Sequence, residues 1–335
     1  MRSFHLSKTG DGVEGLSVRH HEDPTPGPGQ VAVAVRAAGL SYRELLVLRG
    51  TYVLPVKPDV VPVAEGAGDV IAVGPGVDTV RVGDRVAATL FPTWQDGPFG
   101  TEHLAQRGGS LDGMLTEIAV IEESGLVPIP SHLSYEEAAA LPCTAVTAWN
   151  ALTGDGPGVQ PGETVVVQGS GGVSLSALQL AKALGAKVIA TTSSPEKARR
   201  LRELGADGVV DYTASPDWAA EVRDLTAGRG ADRVVDVTGL LAASLRAVKL
   251  GGHIACVGFI SGAAQPIDPA AMFAAAATLR PVAVGSRSQF LAMNRLIGSA
   301  RLRPVIDRAF PFEQAPDAFR YYASGAALGK VVIGC

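Results

Sequence analysis

From Gly29 to about Gly125 the chain alternates short β-branched runs with turn residues: Val31-Ala-Val-Ala-Val35, Gly68-Asp-Val-Ile-Ala-Val73 and Val82-Gly-Asp-Arg-Val86. Runs this short, broken by glycine, predict an all-β, barrel-like region. At Thr164 the texture changes. Thr164-Val-Val-Val-Gln168 reads as a buried strand, after which Val173, Ala177, Leu180, Ala181 and Leu184 recur at helical spacing until Gly185 stops them. Lys187-Val-Ile-Ala-Thr191 is the next strand, and more are expected at Asp207 to Asp211, Arg233 to Val237 and His253 to Val257. Parallel strands need crossover helices, so this alternation predicts a doubly wound parallel sheet. After about Arg287 the pattern is mixed again, and Lys330-Val-Val-Ile333 predicts a strand returning to the first region. The expectation is an α/β chain with a β-rich domain over 1–125, a doubly wound domain over 126–286 and a C-terminal return over 287–335.

Composition agrees with two domains. The 335 residues exceed the ~250–300 at which single cores stop growing. A net charge of −4 with 19% charged residues offers no basic face for phosphates, which argues against a nucleic-acid partner. Cys143, Cys256 and Cys335 lie too far apart for a disulfide framework, and no C-x-x-C pair suggests a metal or redox centre. Met1 to Gly10 has no apolar segment of the kind a signal peptide needs, and no apolar run approaches the ~20 residues of a membrane span. A cytoplasmic protein without membrane contact is expected. Of the six histidines, His20 and His21 are adjacent, whereas His5, His103, His132 and His253 are isolated, and none has a ligand-spaced partner in sequence.

The strongest motif is Gly169-Ser170-Gly171-Gly172-Val173-Ser174, which follows a strand and opens a helix. That is the context of the Rossmann dinucleotide fingerprint. Gly169 would allow the tight turn, and Gly171 would let the backbone approach a pyrophosphate held by the helix N-terminus. Ser174 takes the third position, where a small residue keeps helix and strand close. NAD sites usually place a carboxylate at the end of the second strand, about 20 residues on. Here that position is Thr191 or Thr192, followed by Ser193-Ser-Pro-Glu-Lys197. Ser193, Ser194 and Lys197 could hold a 2′-phosphate, so the expected cofactor is NADPH; Ser194 could equally cap the helix that starts at Pro195.

Across essentially its whole length the chain resembles the medium-chain dehydrogenase/reductase superfamily. The resemblance is carried by Ala38-Gly-Leu-Ser-Tyr-Arg-Glu44, Glu65-Gly-Ala-Gly68, Val82-Gly-Asp-Arg-Val86, Leu141-Pro-Cys-Thr-Ala-Val-Thr-Ala-Trp149 and the glycine loop. It is especially close to the quinone-oxidoreductase-like and zinc-type alcohol dehydrogenase-like groups. The resemblance implies a GroES-like catalytic domain, a Rossmann NADP-binding domain and a C-terminal return to the first. In alcohol dehydrogenases of the family, the motif positions that hold catalytic zinc fall here on Ser41, Ala64 and Cys143, so two of three ligands are missing. The hydroxyl residue that relays a proton falls on Arg43. Phe91 to Gly113, where the structural zinc would sit, contains no cysteine. No metal site is expected.

Without metal, acceptors that already carry an electron-poor carbon are the natural substrates, since the cofactor supplies the hydride and little else is needed. The expected activity is reduction of a quinone, enone or other activated C=C bond. An alcohol or carbonyl oxidoreductase using a hydroxyl or water relay is the alternative, and a redox-inactive NADPH-binding protein is a third reading. Candidate catalytic residues are Tyr42 and Tyr52 as phenolic donors and Arg43 as a fixed charge. Phe91 and Trp94 would line an apolar pocket or simply pack. By resemblance, Thr147, Val237, Gly258 and Gly285-Ser286-Arg287 border the nicotinamide. Relatives commonly dimerise through the last Rossmann strand, matched here by Thr278 to Val284, so a homodimer is expected.

Overall fold

In the computed structural model the chain opens with a hairpin of β1 (Arg2–Leu6) and β2 (Leu16–His20). β3 (Gln30–Gly39), β4 (Glu65–Val73), β5 (Arg85–Ala88), β6 (Ile118–Glu122) and β7 (Leu126–Pro128) follow. β3 is the centre of this sheet, antiparallel to both β4 and β6, and its apolar run is buried along most of its length. The structure describes residues 1–154, 156–262 and 266–335.

The second set of strands is β8 (Thr164–Gln168), β9 (Lys187–Thr192), β10 (Gly208–Asp211), β11 (Ala231–Asp236), β12 (Val248–Cys256) and β13 (Thr278–Pro281). All their pairings are parallel, in the order β10-β9-β8-β11-β12-β13. This is the 3-2-1-4-5-6 arrangement of dinucleotide-binding folds, whose order reverses between β8 and β11 and so opens a crevice at their C-terminal ends. The core of this sheet packs Val166, Ile189, Val234 and Ile254 against Trp218, Val222 and Leu245 of the flanking helices.

The chain then returns to the first sheet. β15 (Lys330–Gly334) pairs antiparallel with β3, and β14 (Ile306–Phe310) adds to it in parallel. Phe319 and Ile333 thereby join Val33, Leu40 and Val70 in the first core.

Two units result, one of 1–146 with 285–335 and one of 147–284. These bounds differ from the expected 125 and 287. The first shifts because β7 still pairs with β5 and because residues up to Thr144 are tied to Glu65 of β4. The second shifts because Arg287 N donates to Trp94 O at 2.9 Å and Arg287 Nε to Leu126 O at 3.0 Å, which fastens the helix Arg287–Ala300 to the first unit at its start. Among the described residues no helix is long and apolar enough to cross a membrane.

Candidate active and cofactor site

In the second unit the β8 turn has the geometry its glycines predict. Gly169 sits at φ +77°, which a side chain would strain, and its N–H is held by Thr191 O at 3.0 Å. Gly171 is the N-cap of the helix Gly172–Ala183, and a Cβ built there meets no other atom of the chain within 4 Å. The space in front of it is open for a ligand to approach the backbone. Ser174 does more than stay small: its Oγ donates to Gln168 O at 2.6 Å and ties the helix to β8. Val173 follows at the first helical turn and Ser170 is buried beneath the loop.

At the end of β9, Ser194 Oγ accepts from Lys197 N at 3.2 Å, so it is the N-cap of the helix Pro195–Glu203. Ser193 beside it is exposed. Thr192 Oγ1 is buried with no hydrogen-bond partner among the described residues. An orphaned hydroxyl there suits a ribose or phosphate oxygen of a bound dinucleotide. No carboxylate lies between Thr191 and Pro195. Val237 and Gly258 lie at the ends of β11 and β12, Val237 N donating to Gln168 Oε1 at 3.2 Å. A Cβ on Gly258 would stand 2.7 Å from Val237 O, so these two loops pack backbone to backbone.

The sequence reading missed Asp236. Its carboxylate accepts from Thr238 N, Gly239 N and Ser244 Oγ at 2.9, 2.8 and 2.6 Å, and so fixes the loop that follows β11. Thr147 is buried in the helix Val146–Thr153. Ser286 and Arg287, expected beside the nicotinamide from this sheet's side, belong to the first unit. Ser286 forms a capping box with Gln289, and Arg287 Nε is spent on Leu126 O.

In the first unit, Ser41, Ala64 and Cys143 are brought together by two buried carboxylates. Glu44 accepts from Ser41 Oγ at 3.4 Å and Ala64 N at 3.2 Å, and Arg43 Nη1 reaches both its oxygens at 3.0 and 3.1 Å. Glu65 Oε1 accepts from Cys143 N at 2.8 Å and Thr144 N at 2.6 Å, two N–H groups of the π-helical turn Leu141–Ala145. Lys330 Nζ bonds Glu65 Oε2 and Leu40 O, which locks β15 to β4. Burial pushes the Glu65 carboxyl up, against the pull of Lys330 and the two backbone donors.

This donor set does not fit tetrahedral zinc. The methyl of Ala64 donates nothing and the Ser41 hydroxyl is given to Glu44, so Cys143 stands alone where catalytic zinc takes three protein ligands. Burial and the neighbouring Glu65 push the Cys143 thiol up to about 12, so it is held as a neutral thiol in this arrangement. Among the described residues no three of His, Cys, Asp and Glu are grouped to hold a metal.

Arg43 is more committed than a free cation would be. Besides Glu44, it donates from Nη2 to Gln106 Oε1 at 2.7 Å and Gly108 O at 3.0 Å. Its guanidinium lies 4.7 Å from the centre of the Tyr52 ring, a cation–π contact. Burial raises the Tyr52 phenol despite Arg43 beside it, so the hydroxyl stays a neutral donor. Tyr42 is half-buried at the start of the helix Tyr42–Arg49. Phe91 and Trp94 pack with Phe99 at 4.9 and 4.8 Å, an aromatic cluster in the cysteine-free segment Phe91 to Gly113.

A parallel dinucleotide-binding sheet with this glycine turn, in one chain with a β-rich unit that gathers buried polar groups, defines an oxidoreductase using a nicotinamide cofactor. Residues 27–131 match the family model of the alcohol dehydrogenase GroES-like domain, and 172–299 that of zinc-binding dehydrogenases. The chain is 38% identical over 331 residues to the zinc-type alcohol dehydrogenase-like protein C1773.06c of Schizosaccharomyces pombe, covering 96% of each. It is 30% identical to the acryloyl-coenzyme A reductase of Metallosphaera sedula, again over 96% of each. Its fold matches the mycobacterial Rv1454c structure complexed with NADPH at a TM-score of 0.83 and 29% identity, over 100% of both chains. The chain belongs to the medium-chain dehydrogenase/reductase superfamily, in its zinc-type alcohol dehydrogenase-like group.

Proposed function

We propose that the protein transfers hydride from NADPH to a quinone, enone or other activated C=C bond without metal. The observation that carries this reading is the donor set at Ser41, Ala64 and Cys143, which leaves nothing to polarise an unactivated alcohol. The nicotinamide supplies the hydride when bound. The protein's part is to hold the acceptor and to provide a proton, for which Tyr52 and Tyr42 are the available phenols, with Arg43 positioning Tyr52 through its ring. Similarity to an acryloyl-coenzyme A reductase supports an electron-poor C=C acceptor. A panel of quinones, enones and aldehydes, followed by loss of NADPH absorbance, tests it. Quinones or enones should react fastest, and a chelator should leave their turnover unchanged. Faster turnover of simple alcohols or aldehydes, lost together with one bound zinc per chain, would overturn the reading.

The preference for NADPH rests on the hydroxyls and Lys197 after β9 and on the missing carboxylate. Lys197→Ala should raise KM for NADPH ten- to a hundredfold more than for NADH, the worth of a charge-assisted contact of ~1.5–3 kcal/mol. Equal effects on both cofactors would place Lys197 away from the 2′-phosphate.

For assembly, a homodimer is proposed, with a change in how it forms. β13 ends at Pro281, and Val282 N donates to Cys256 O at 3.0 Å. Strand alternation then turns the Pro281 nitrogen to the open edge, where it has no proton to give. Side chains are then proposed to carry most of the contact, and Phe273, 90% exposed, is the most exposed large apolar side chain among the described residues. Light scattering should give about twice 34.4 kDa, falling to that mass for Phe273→Asp. A wild-type mass of one chain would refute the dimer.

A further inference from the structure

The N-terminal hairpin brings together two histidines that are sixteen residues apart in sequence. Arg2 pairs with His20 and His5 with Ser17 across β1 and β2. Met1 N donates to His21 O at 2.8 Å and His21 N to Met1 O at 2.9 Å, which extends the ladder by one pair. Strand alternation therefore sets Ser3, His5 and His21 on one face and His20 on the other. On that face His5 Nε2 lies 3.3 Å from His21 Nε2, and Ser3 Oγ lies 2.9 Å from the first and 2.8 Å from the second. His5 Nδ1 faces only acceptors, Asp59 O at 3.1 Å and Asp59 Oδ1 at 3.4 Å. A neutral His5 ring thus keeps its proton on Nδ1 and aims its Nε2 lone pair at the other two atoms.

We propose that His5 Nε2, His21 Nε2 and Ser3 Oγ form a site for one borderline divalent transition-metal ion of the zinc or nickel class, separate from the catalytic chemistry. Ligand nitrogens 2.0–2.1 Å from a tetrahedral ion stand about 3.3 Å apart, which is the separation of the two imidazoles here, while Ser3 Oγ hydrogen-bonds to both and would move out by a few tenths of an ångström to ligate. Asp59 behind His5 is the carboxylate partner that commonly orients a metal-bound imidazole. Arg19 shares that carboxylate at 2.5 Å and the Met1 ammonium is paired with Asp23, so both nearby cations are already neutralised. Among the described residues no Asp or Glu joins these histidines in a metal-holding group, which disfavours calcium and magnesium. His5 is buried and His21 exposed, so water completes the coordination and the ion exchanges. Bound metal would clip Met1–Leu6 to Leu16–His21 and stabilise the hairpin by mass action.

Calorimetric titration of the full chain with Ni²⁺ alone tests the proposal. The wild type should bind one equivalent and gain thermal stability. His21→Ala, at an exposed position, should weaken binding at least tenfold, while His20→Ala on the opposite face should bind as the wild type does. Mg²⁺ should produce no binding heat. Absence of Ni²⁺ binding, or equal binding by His21→Ala and the wild type, would overturn the site.

Discussion

Gly171→Val should give a folded protein that has lost nicotinamide dinucleotide. A Cβ added there has nothing within 4 Å, and Gly171 already has extended backbone angles, φ −77° and ψ 174°, that valine adopts freely. Folding therefore should change by about 1 kcal/mol, the cost of a poorer helix N-cap. The same side chain stands in the space through which a pyrophosphate would approach the N–H groups at the helix start. A dinucleotide that cannot reach those donors loses several charge-assisted hydrogen bonds at ~1.5–3 kcal/mol each, so affinity should fall more than a hundredfold. Fluorescence titration with NADPH, alongside a thermal melt, reads the two effects separately. Retained binding by a stable Gly171→Val protein would remove the glycine turn from the site. The neighbouring Gly169→Val is a different experiment, because φ +77° makes it fail by strain in the absence of any ligand.

What the sequence reveals and what it conceals follow from the range over which each interaction acts. The β8 strand, its glycine turn and the helix after it are written in adjacent residues, so the turn Gly169 to Ser174 and the parallel character of the sheet could be read directly. The return of the last strand to the first unit was legible too, because Lys330 to Ile333 is an apolar β-branched run with no helix after it. The unit boundary was not, since β6 and β7 are short and declare themselves only by pairing with β3 and β5. Buried polar groups were the least visible. Glu65 and Lys330 are 265 positions apart, and Arg43 and Gln106 are 63 apart. Pairings of that range leave no local pattern, so Arg43 could be read as a fixed charge but its partners Gln106 and Gly108 could not be named. The return starts two residues before the expected 287, the second unit ending at 284, because Arg287 is fastened to Trp94 and Leu126, partners that lie far off in sequence.

The largest stability effect should come from that hidden polar network. Lys330→Met removes the partner of Glu65 Oε2 and leaves a carboxylate that is 0% exposed with only the Cys143 and Thr144 amides on its other oxygen. Breaking a buried ion pair from one side costs ~3–5 kcal/mol, because the remaining charge has neither water nor partner. The pH dependence fixes the cause. Burial already raises the Glu65 carboxyl and Lys330 opposes that rise, so without the lysine it climbs further. A carboxyl raised in the folded state contributes its stability below the unfolded value of about 4.3 and loses it as pH climbs through the folded value. The defect of Lys330→Met should therefore be large at pH 8 and shrink toward pH 5, the opposite of ordinary acid unfolding. Adding Glu65→Gln should recover at least half of the loss at pH 8, since the amide oxygen still accepts from both N–H groups and no charge is stranded. Urea unfolding of wild type, single and double variants at the two pH values decides it. A pH-independent loss, or a double variant no better than Lys330→Met, would mean that Lys330 acts through the packing of its chain and its bond to Leu40 O, and that Glu65 is not the group that suffers.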